Sequence, residues 1–214
     1  MARTLTGLSL VANDGLPAAC AGCVFWEHDS RLARRCGAVC DGPAATEWIR
    51  RVSGEWGECG RVAVDGGEVL GFIKYAPPEY FPQARYMPSG PPAPDVVMIA
   101  CMHISPDARG RGLGGVLLRA ALRDLAQRQE RSVQVYADAS PNRSPESPLV
   151  GMDFCLRQGF VVNRPHGEVP LLRLDLKSLV TWTENIEAVL DSLRLPIRVP
   201  GRAPATLAMP EGDS

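Results

Sequence analysis

The residues best suited by type and spacing to chemistry stand together at Arg109-Gly110-Arg111-Gly112-Leu113-Gly114-Gly115, four glycines and two arginines within seven positions. This composition suits an anion. Where a helix begins, several backbone N–H groups lack an intrahelical acceptor and point at one spot, and the helix dipole adds partial positive charge there. Glycines remove the Cβ atoms that would hold a phosphate away. Arg109 and Arg111 can add charge-assisted hydrogen bonds. The competing reading is a tight turn whose glycines only relieve backbone strain.

Such a site needs a strand before the loop and a helix after it. Residues 96–104, VVMIACMHI, form a nearly continuous apolar run suited to a strand buried on both faces. Residues 112–129 predict a helix with Leu113, Val116, Leu117, Ala120, Ala121 and Leu125 on one side and Arg119, Arg123 and Arg128 elsewhere. The spacing Gly110-x-Gly112-x-x-Gly115 also matches a dinucleotide fingerprint, with Asp138 as a ribose-binding acid. Against that reading, Ser105 to Arg109 intervene between strand and first glycine, and too few strand–helix pairs follow for a doubly wound sheet.

The flanking sequence predicts a layered α+β domain. Trp48, Ile49, Val52 and Trp56 give residues 44–56 one buried helical face, and residues 61–75 read as a hairpin turning at Asp65-Gly66-Gly67. Seven prolines in residues 76–94 exclude a helix or interior strand there, and Tyr80, Phe81 and Tyr86 could cap a core or wall a pocket. Residues 132–137 read as a strand, followed by a short helix ending at Gly159 and strands near 160–163 and 170–176. Residues 1–43 read as irregular. Thr181 to Glu184 form a capping-box pattern, and Ile186, Val189, Leu190 and Leu193 stripe the helix behind it. The expected organisation is one domain over 1–195: an extension and helix over 1–57, a core over 58–176 and a helix over 177–195. A Pro-rich tail over 196–214 follows.

A net charge of −1 provides no global field to recruit nucleic acid or an acidic membrane. No run reaches the roughly 18 apolar residues of a membrane span, and the N-terminal apolar run is too short for a signal peptide. A cytoplasmic address is the expectation. Seven cysteines form an odd set, expected as reduced thiols. Cys20, Cys23, Cys36 and Cys40 have spacings that a tetrahedral zinc site could use, but the segment between the pairs lacks a metal-binding knuckle. Small buried cysteines packing as apolar residues are the alternative, and no metal is assigned.

The run Arg109-x-x-Gly112-x-Gly114, preceded by Ile104-Ser105-Pro106, resembles the acyl-CoA signature of the GNAT superfamily of N-acetyltransferases. The order of elements over residues 58–176 is similar too. The segments Cys23 to Glu27 and Arg164 to His166 resemble an actinobacterial-type subgroup. The resemblance implies a mixed, mostly antiparallel sheet flanked by helices, with two splayed central strands. It implies that Arg109, Gly110, Arg111, Gly112, Leu113, Gly114 and Gly115 cradle the pyrophosphate of acetyl-CoA. Met102, His103 and Ile104 would lie along the pantetheine. The activity implied is direct acetyl transfer to a primary amine of a small molecule or a protein lysine. The partners implied are acetyl-CoA and the amine, without nucleic acid or membrane; a homodimer stays open.

The sequence departs from the family at two catalytic positions. Cys155 stands where many relatives place a general-acid Tyr, and Met98 where histone-type relatives place a Glu. Cys155 could donate a proton or only pack. His103 could serve as base or sit in the core, and Glu58 and Glu79 are further candidates. A non-catalytic acyl-CoA sensor with the same fold is therefore the alternative function.

Overall fold

Runs of apolar residues become the strands of one open sheet in the computed structural model, which describes residues 4–11, 16–27, 44–144 and 147–177. In chain order the elements are β1 (Thr4–Gly7), single-turn α1 (Ala18–Ala21), α2 (Ala44–Glu55), β2 (Gly60–Asp65), β3 (Glu68–Ala76) and β4 (Val97–Ile104). Then come α3 (Leu113–Gln127), β5 (Ser132–Asp138), β6 (Val150–Gly151), α4 (Met152–Arg157), β7 (Val161–Arg164) and β8 (Leu171–Asp175). The sheet order is β1-β2-β3-β4-β5-β8-β7, with β6 attached to β5. β4–β5 and β5–β6 are parallel, and every other pair is antiparallel. The sheet is thus mixed and mostly antiparallel, which excludes the doubly wound alternative. No helix among the described residues is long and apolar enough to cross a membrane.

Local chemistry explains the key joints. Gly66 and Gly67 have φ of 61° and 92°, the left-handed pair that a tight hairpin turn between β2 and β3 requires. Gly159 ends α4 with φ of 89°. Pro78 and Pro82 open two short 3₁₀ turns, where a missing N–H costs nothing.

The sheet separates two cores. α3 and α4 cover one face, where Leu117, Leu118, Ala121, Leu125 and Cys155 pack on Ile73, Tyr75, Val97 and Ile99. α2, the N-terminal segment and the Pro-rich loop cover the other, burying Trp26, Trp48, Val52 and Phe81 against Phe72, Met98 and Tyr136.

Three expectations need correction. Residues 1–43 are not irregular throughout, because β1 pairs with β2 from Thr4↔Val64 to Gly7↔Arg61. The buried stripe of α3 includes Leu118 and Leu122 in place of Val116 and Ala120, a rotation that seats larger side chains on the sheet. β4 is fully buried only over its first four residues. The two-residue β6 has too little sequence to show a period. Apart from Lys177, the expected helix over 177–195 lies outside the described residues, as do the tail, Cys36 and Cys40.

Candidate active site

The site begins with a break in the sheet. β4 and β5 pair only at Val97↔Val133, Met98↔Gln134 and Ile99↔Val135, although both strands continue. Farther on, β5 turns to β6, pairing Ala137 with Val150 and Asp138 with Gly151. The central strands therefore fork, and among the described residues no strand pairs with one edge of β4 beyond Ile99. A bulge marks the fork: Tyr75 pairs with Ile99 and Lys74 with Cys101, so Ala100 is an extra residue on β4. It switches the alternation of side chains. Val97 and Ile99 face α3, but after the bulge Met102 and Ile104 do. His103 takes the opposite face, stacked on Phe72 with ring centroids 5.9 Å apart. The last four residues of β4 are only half-buried, as an open fork requires.

At the wide end of the fork stands the glycine-rich loop. Ser105 anchors its start, its N–H donating to Leu70 O at 2.9 Å and its hydroxyl to Val69 O at 3.1 Å. Gly110 and Gly112 have φ of 72° and 78°, a region unfavourable to other residues, and a Cβ built on either would meet nothing within 4 Å. Gly112 is the N-cap of α3 and has no side chain to cap it. The first helical bond runs from Val116 N to Gly112 O at 3.3 Å. The N–H groups of Leu113, Gly114 and Gly115 therefore precede every intrahelical bond, with no backbone acceptor among the described residues.

The arginines divide their work. Arg109 folds back, and its Nε donates to Ile104 O at 3.0 Å, which fixes strand end to loop. Arg111 is exposed. Arg119, absent from the sequence-based site, lies beside Gly115, whose added Cβ would stand 3.2 Å from its Nη1. Its Nε is buried with no partner among the described residues. The clue was its position four residues after Gly115, which puts both on one helix face.

The other candidates fall on opposite sides of the fork. Burial, helped by the Arg109 charge, lowers the His103 pKa below its ordinary value and keeps the imidazole neutral near pH 7. Cys155 lies on the α3 face, 2% exposed, and burial pushes its thiol up to about 12. It lines a small apolar pocket with Ile73, Ile99, Met102, Leu118, Val135, Val150, Phe154 and Phe160. Glu58 is committed elsewhere, accepting from Ser9 Oγ at 2.6 Å and from the N–H groups of Ser9, Cys59 and Gly60. Glu79 is exposed on the Pro-rich loop. Asp138 accepts from Ser140 N, Ser140 Oγ and Ser147 Oγ at 3.0, 2.6 and 2.7 Å, which leaves it poorly placed to bind a ribose.

Sequence reasoning missed the polar centre of the second face. Lys74 is buried and ion-paired with Glu27, with its ammonium 5.0 Å from the centre of the Trp48 ring. Burial pulls its pKa down, but the Glu27 carboxylate more than offsets this and the net shift is upward. A lone lysine inside LGFIKYA was the available signal. Trp26 stacks on Tyr136, centroids 5.7 Å apart, at the β5 arm of the fork. Trp26 Nε1 and Gln83 Oε1 are buried with no hydrogen-bond partner among the described residues. No group of three or more metal-ligating side chains occurs among the described residues.

Comparison with known proteins places this geometry. The sequence model of the acetyltransferase (GNAT) family matches residues 27–145, more than half of the chain. No curated protein matches the sequence. Among solved structures, an N-acetyltransferase from Staphylococcus aureus Mu50 superposes with a TM-score of 0.55 at 14% identity, over 82% of this chain and 99% of that one. The PaiA N-acetyltransferase of Thermoplasma acidophilum, in complex with coenzyme A, gives 0.52 at 13% identity, over 82% and 99%. The loading GNATL domain of CurA from Lyngbya majuscula gives 0.52 at 18%, over 83% and 100%. These structural likenesses establish the shared fold. By the family match, the chain belongs to the GNAT family of acetyltransferases.

Proposed function

We propose that this GNAT-family chain transfers an acetyl group from acetyl-CoA to a primary amine, carried by a small molecule or a protein lysine. One observation carries the reading: the uncapped amides at the start of α3 adjoin the open edge of β4. A diphosphate on those amides puts an extended, amide-bearing arm within reach of β4 backbone groups. Coenzyme A has that combination. The likeness to PaiA, whose structure holds coenzyme A, supports the assignment.

The roles follow from the chemistry of each group. The amides of Arg111 to Gly115, with the α3 dipole, hold the pyrophosphate, and the exposed Arg111 adds charge. Arg109 is a positioning residue, since its guanidinium is engaged at Ile104 O. Backbone groups of Met102, His103 and Ile104 receive the pantetheine and place the thioester carbonyl. An alkylammonium with a pKa of ~10.4 must lose a proton before its nitrogen can attack. Solvent takes that first proton, because an imidazole held below its ordinary ~6.5 is too weak a base for an alkylammonium. As the neutral amine attacks the thioester carbon its nitrogen becomes acidic, His103, neutral on the face away from α3, takes the surplus N–H proton, the C–S bond breaks, and coenzyme A leaves as thiolate. A Cys155 thiol near 12 is a poor acid towards a thiolate of ordinary pKa ~8.5, so its role is to line the donor side. The Pro-rich loop and the N-terminal segment with Trp26 cover the face by which the amine arrives.

A thermal-shift screen of acyl-CoAs followed by an amine panel tests the proposal. Acetyl-CoA at 100 times its Kd raises Tm by about 5–10 °C, and coenzyme A is released only with an amine present. The alternative, a sensor, is favoured by the absence of the family's Tyr and Glu. It would bind acetyl-CoA without turnover on any amine or lysine-bearing protein. No shift with any CoA would contradict both.

A further inference from the structure

Breaking a thioester leaves a sulfur anion, and Cys155 is no acid for it, since burial pushes that thiol up to about 12. The segment between β5 and β6 brings a permanent cation to the same side. Asp138 ends β5 and gathers the segment, accepting hydrogen bonds from Ser140 and Ser147. Arg143 folds back across it: Nη2 donates to Leu149 O at 2.9 Å, and Nε stands 3.8 Å from the Asp138 carboxylate. The guanidinium lies on Gly151, whose added Cβ would be 3.6 Å from Nε and 3.8 Å from Cζ. Gly151 is the N-cap of α4, and Phe154 and Cys155 of α4 wall the apolar pocket together with Met102 of β4. Arg143 is therefore fixed at the start of the α4 wall of the fork.

Two features suit it to an anion. The Asp138 pair only partly cancels its charge, because 3.8 Å exceeds hydrogen-bonding distance and the serines already occupy that carboxylate. Its field also reaches sulfur in this wall. Burial raises the Cys155 thiol, and the largest influence opposing that rise is the Arg143 charge.

We propose that Arg143 stabilises the thiolate of coenzyme A as it departs. The C–S electron pair passes to sulfur, the surplus N–H proton of the amine goes to His103, and the guanidinium keeps all its protons. The inference rests on the coenzyme A reading above. A fixed positive charge beside a developing anion lowers the barrier without a proton transfer, and an arginine stays charged throughout the working pH range. Arg143 thus does by electrostatics what a proton donor at position 155 would otherwise do.

Ionisation of the thiol of bound coenzyme A tests this without any acceptor. Ultraviolet absorbance of the thiolate is followed against pH, with a CoA analogue lacking the sulfur as the blank. In the wild type the bound thiol titrates below the ordinary ~8.5, since a nearby cation favours the anion. Arg143→Gln and Arg143→Met, two neutral replacements, each raise that midpoint by about one pH unit or more, and Arg143→Lys raises it less. A merely structural Arg143 would lower Tm in these variants and leave the midpoint in place. A wild-type midpoint at or above ~8.5 would overturn the inference, as would one unmoved in whichever neutral variant folds. Failure of the wild type to bind CoA at all would defeat the functional reading instead, so the two failures are distinguishable.

Discussion

The two faces of the sheet are built by different routes. On the α3 face, strand, loop and helix follow one another within residues 97–127, so the glycine-rich loop and the fork wall come from one stretch of chain. The opposite face is assembled from Trp26, Trp48, Phe81 and Tyr136, four segments far apart in sequence. Buried polar contacts pin it. The Tyr136 hydroxyl lies 3.0 Å from Ala84 O and 2.7 Å from Gly90 O, Gln134 Oε1 accepts from Ala93 N at 2.9 Å, and Glu27 pairs with Lys74. The contrast teaches that a donor site can be local and hence written as a motif. The proposed acceptor side is a tertiary product with no motif to read.

If the faces divide donor from acceptor, variants should separate binding from turnover. The largest effect is expected at His103. His103→Gln lowers kcat by ~10²–10⁴-fold once an acceptor is known, and leaves acetyl-CoA affinity within ~2-fold. A matching loss of affinity would put the imidazole on the donor side and break the comparison. Next is Glu27→Gln, which leaves the Lys74 ammonium buried without its counter-charge. It costs about 3–5 kcal/mol in urea unfolding, and the protein that remains folded keeps its affinity for CoA.

Asp124→Ala applies the same test to the α3 face. The Asp124 carboxylate pairs with Arg61 and accepts from the Tyr75 hydroxyl at 2.7 Å, tying α3 to the hairpin. Its loss costs about 2–3 kcal/mol of stability, because two donors lose their acceptor. The smallest effect is on pH dependence. The folded pKa of His103 lies below the ordinary ~6.5, so the unfolded chain takes up its proton first. This group costs no stability well above pH 6.5 and progressively destabilises the fold as pH falls through 6.5 towards the folded pKa. His103→Gln flattens that part of the curve of Tm against pH.

The sequence pattern exposed the α3 face more fully than its opposite. Positive-φ glycines, the apolar strand and the amphipathic helix each leave a local trace, which is why Gly110, Gly112 and the hairpin glycines were legible. The bulge at Ala100 was not, since a single inserted residue in an all-apolar run leaves no gap in the pattern. As a result Met102 and His103 could be placed on β4 without knowing which of the two faces α3. The Glu27–Lys74 pair was hidden for another reason: its partners are 47 residues apart, and nothing local marks either as buried with the other. β1 escaped because four residues at a sheet edge, TLTG, have too little alternation to stand out from a loop.

Titration of coenzyme A into wild-type protein and Gly112→Glu tests the central claim most directly, with Gly112→Ala reporting the backbone strain alone. The account predicts saturable one-to-one binding by the wild type and at least ~100-fold weaker binding by Gly112→Glu, which sets a carboxylate among the amides meant for the diphosphate. Gly112→Ala should lose less. Binding by a folded Gly112→Glu within ~3-fold of wild type would contradict the account.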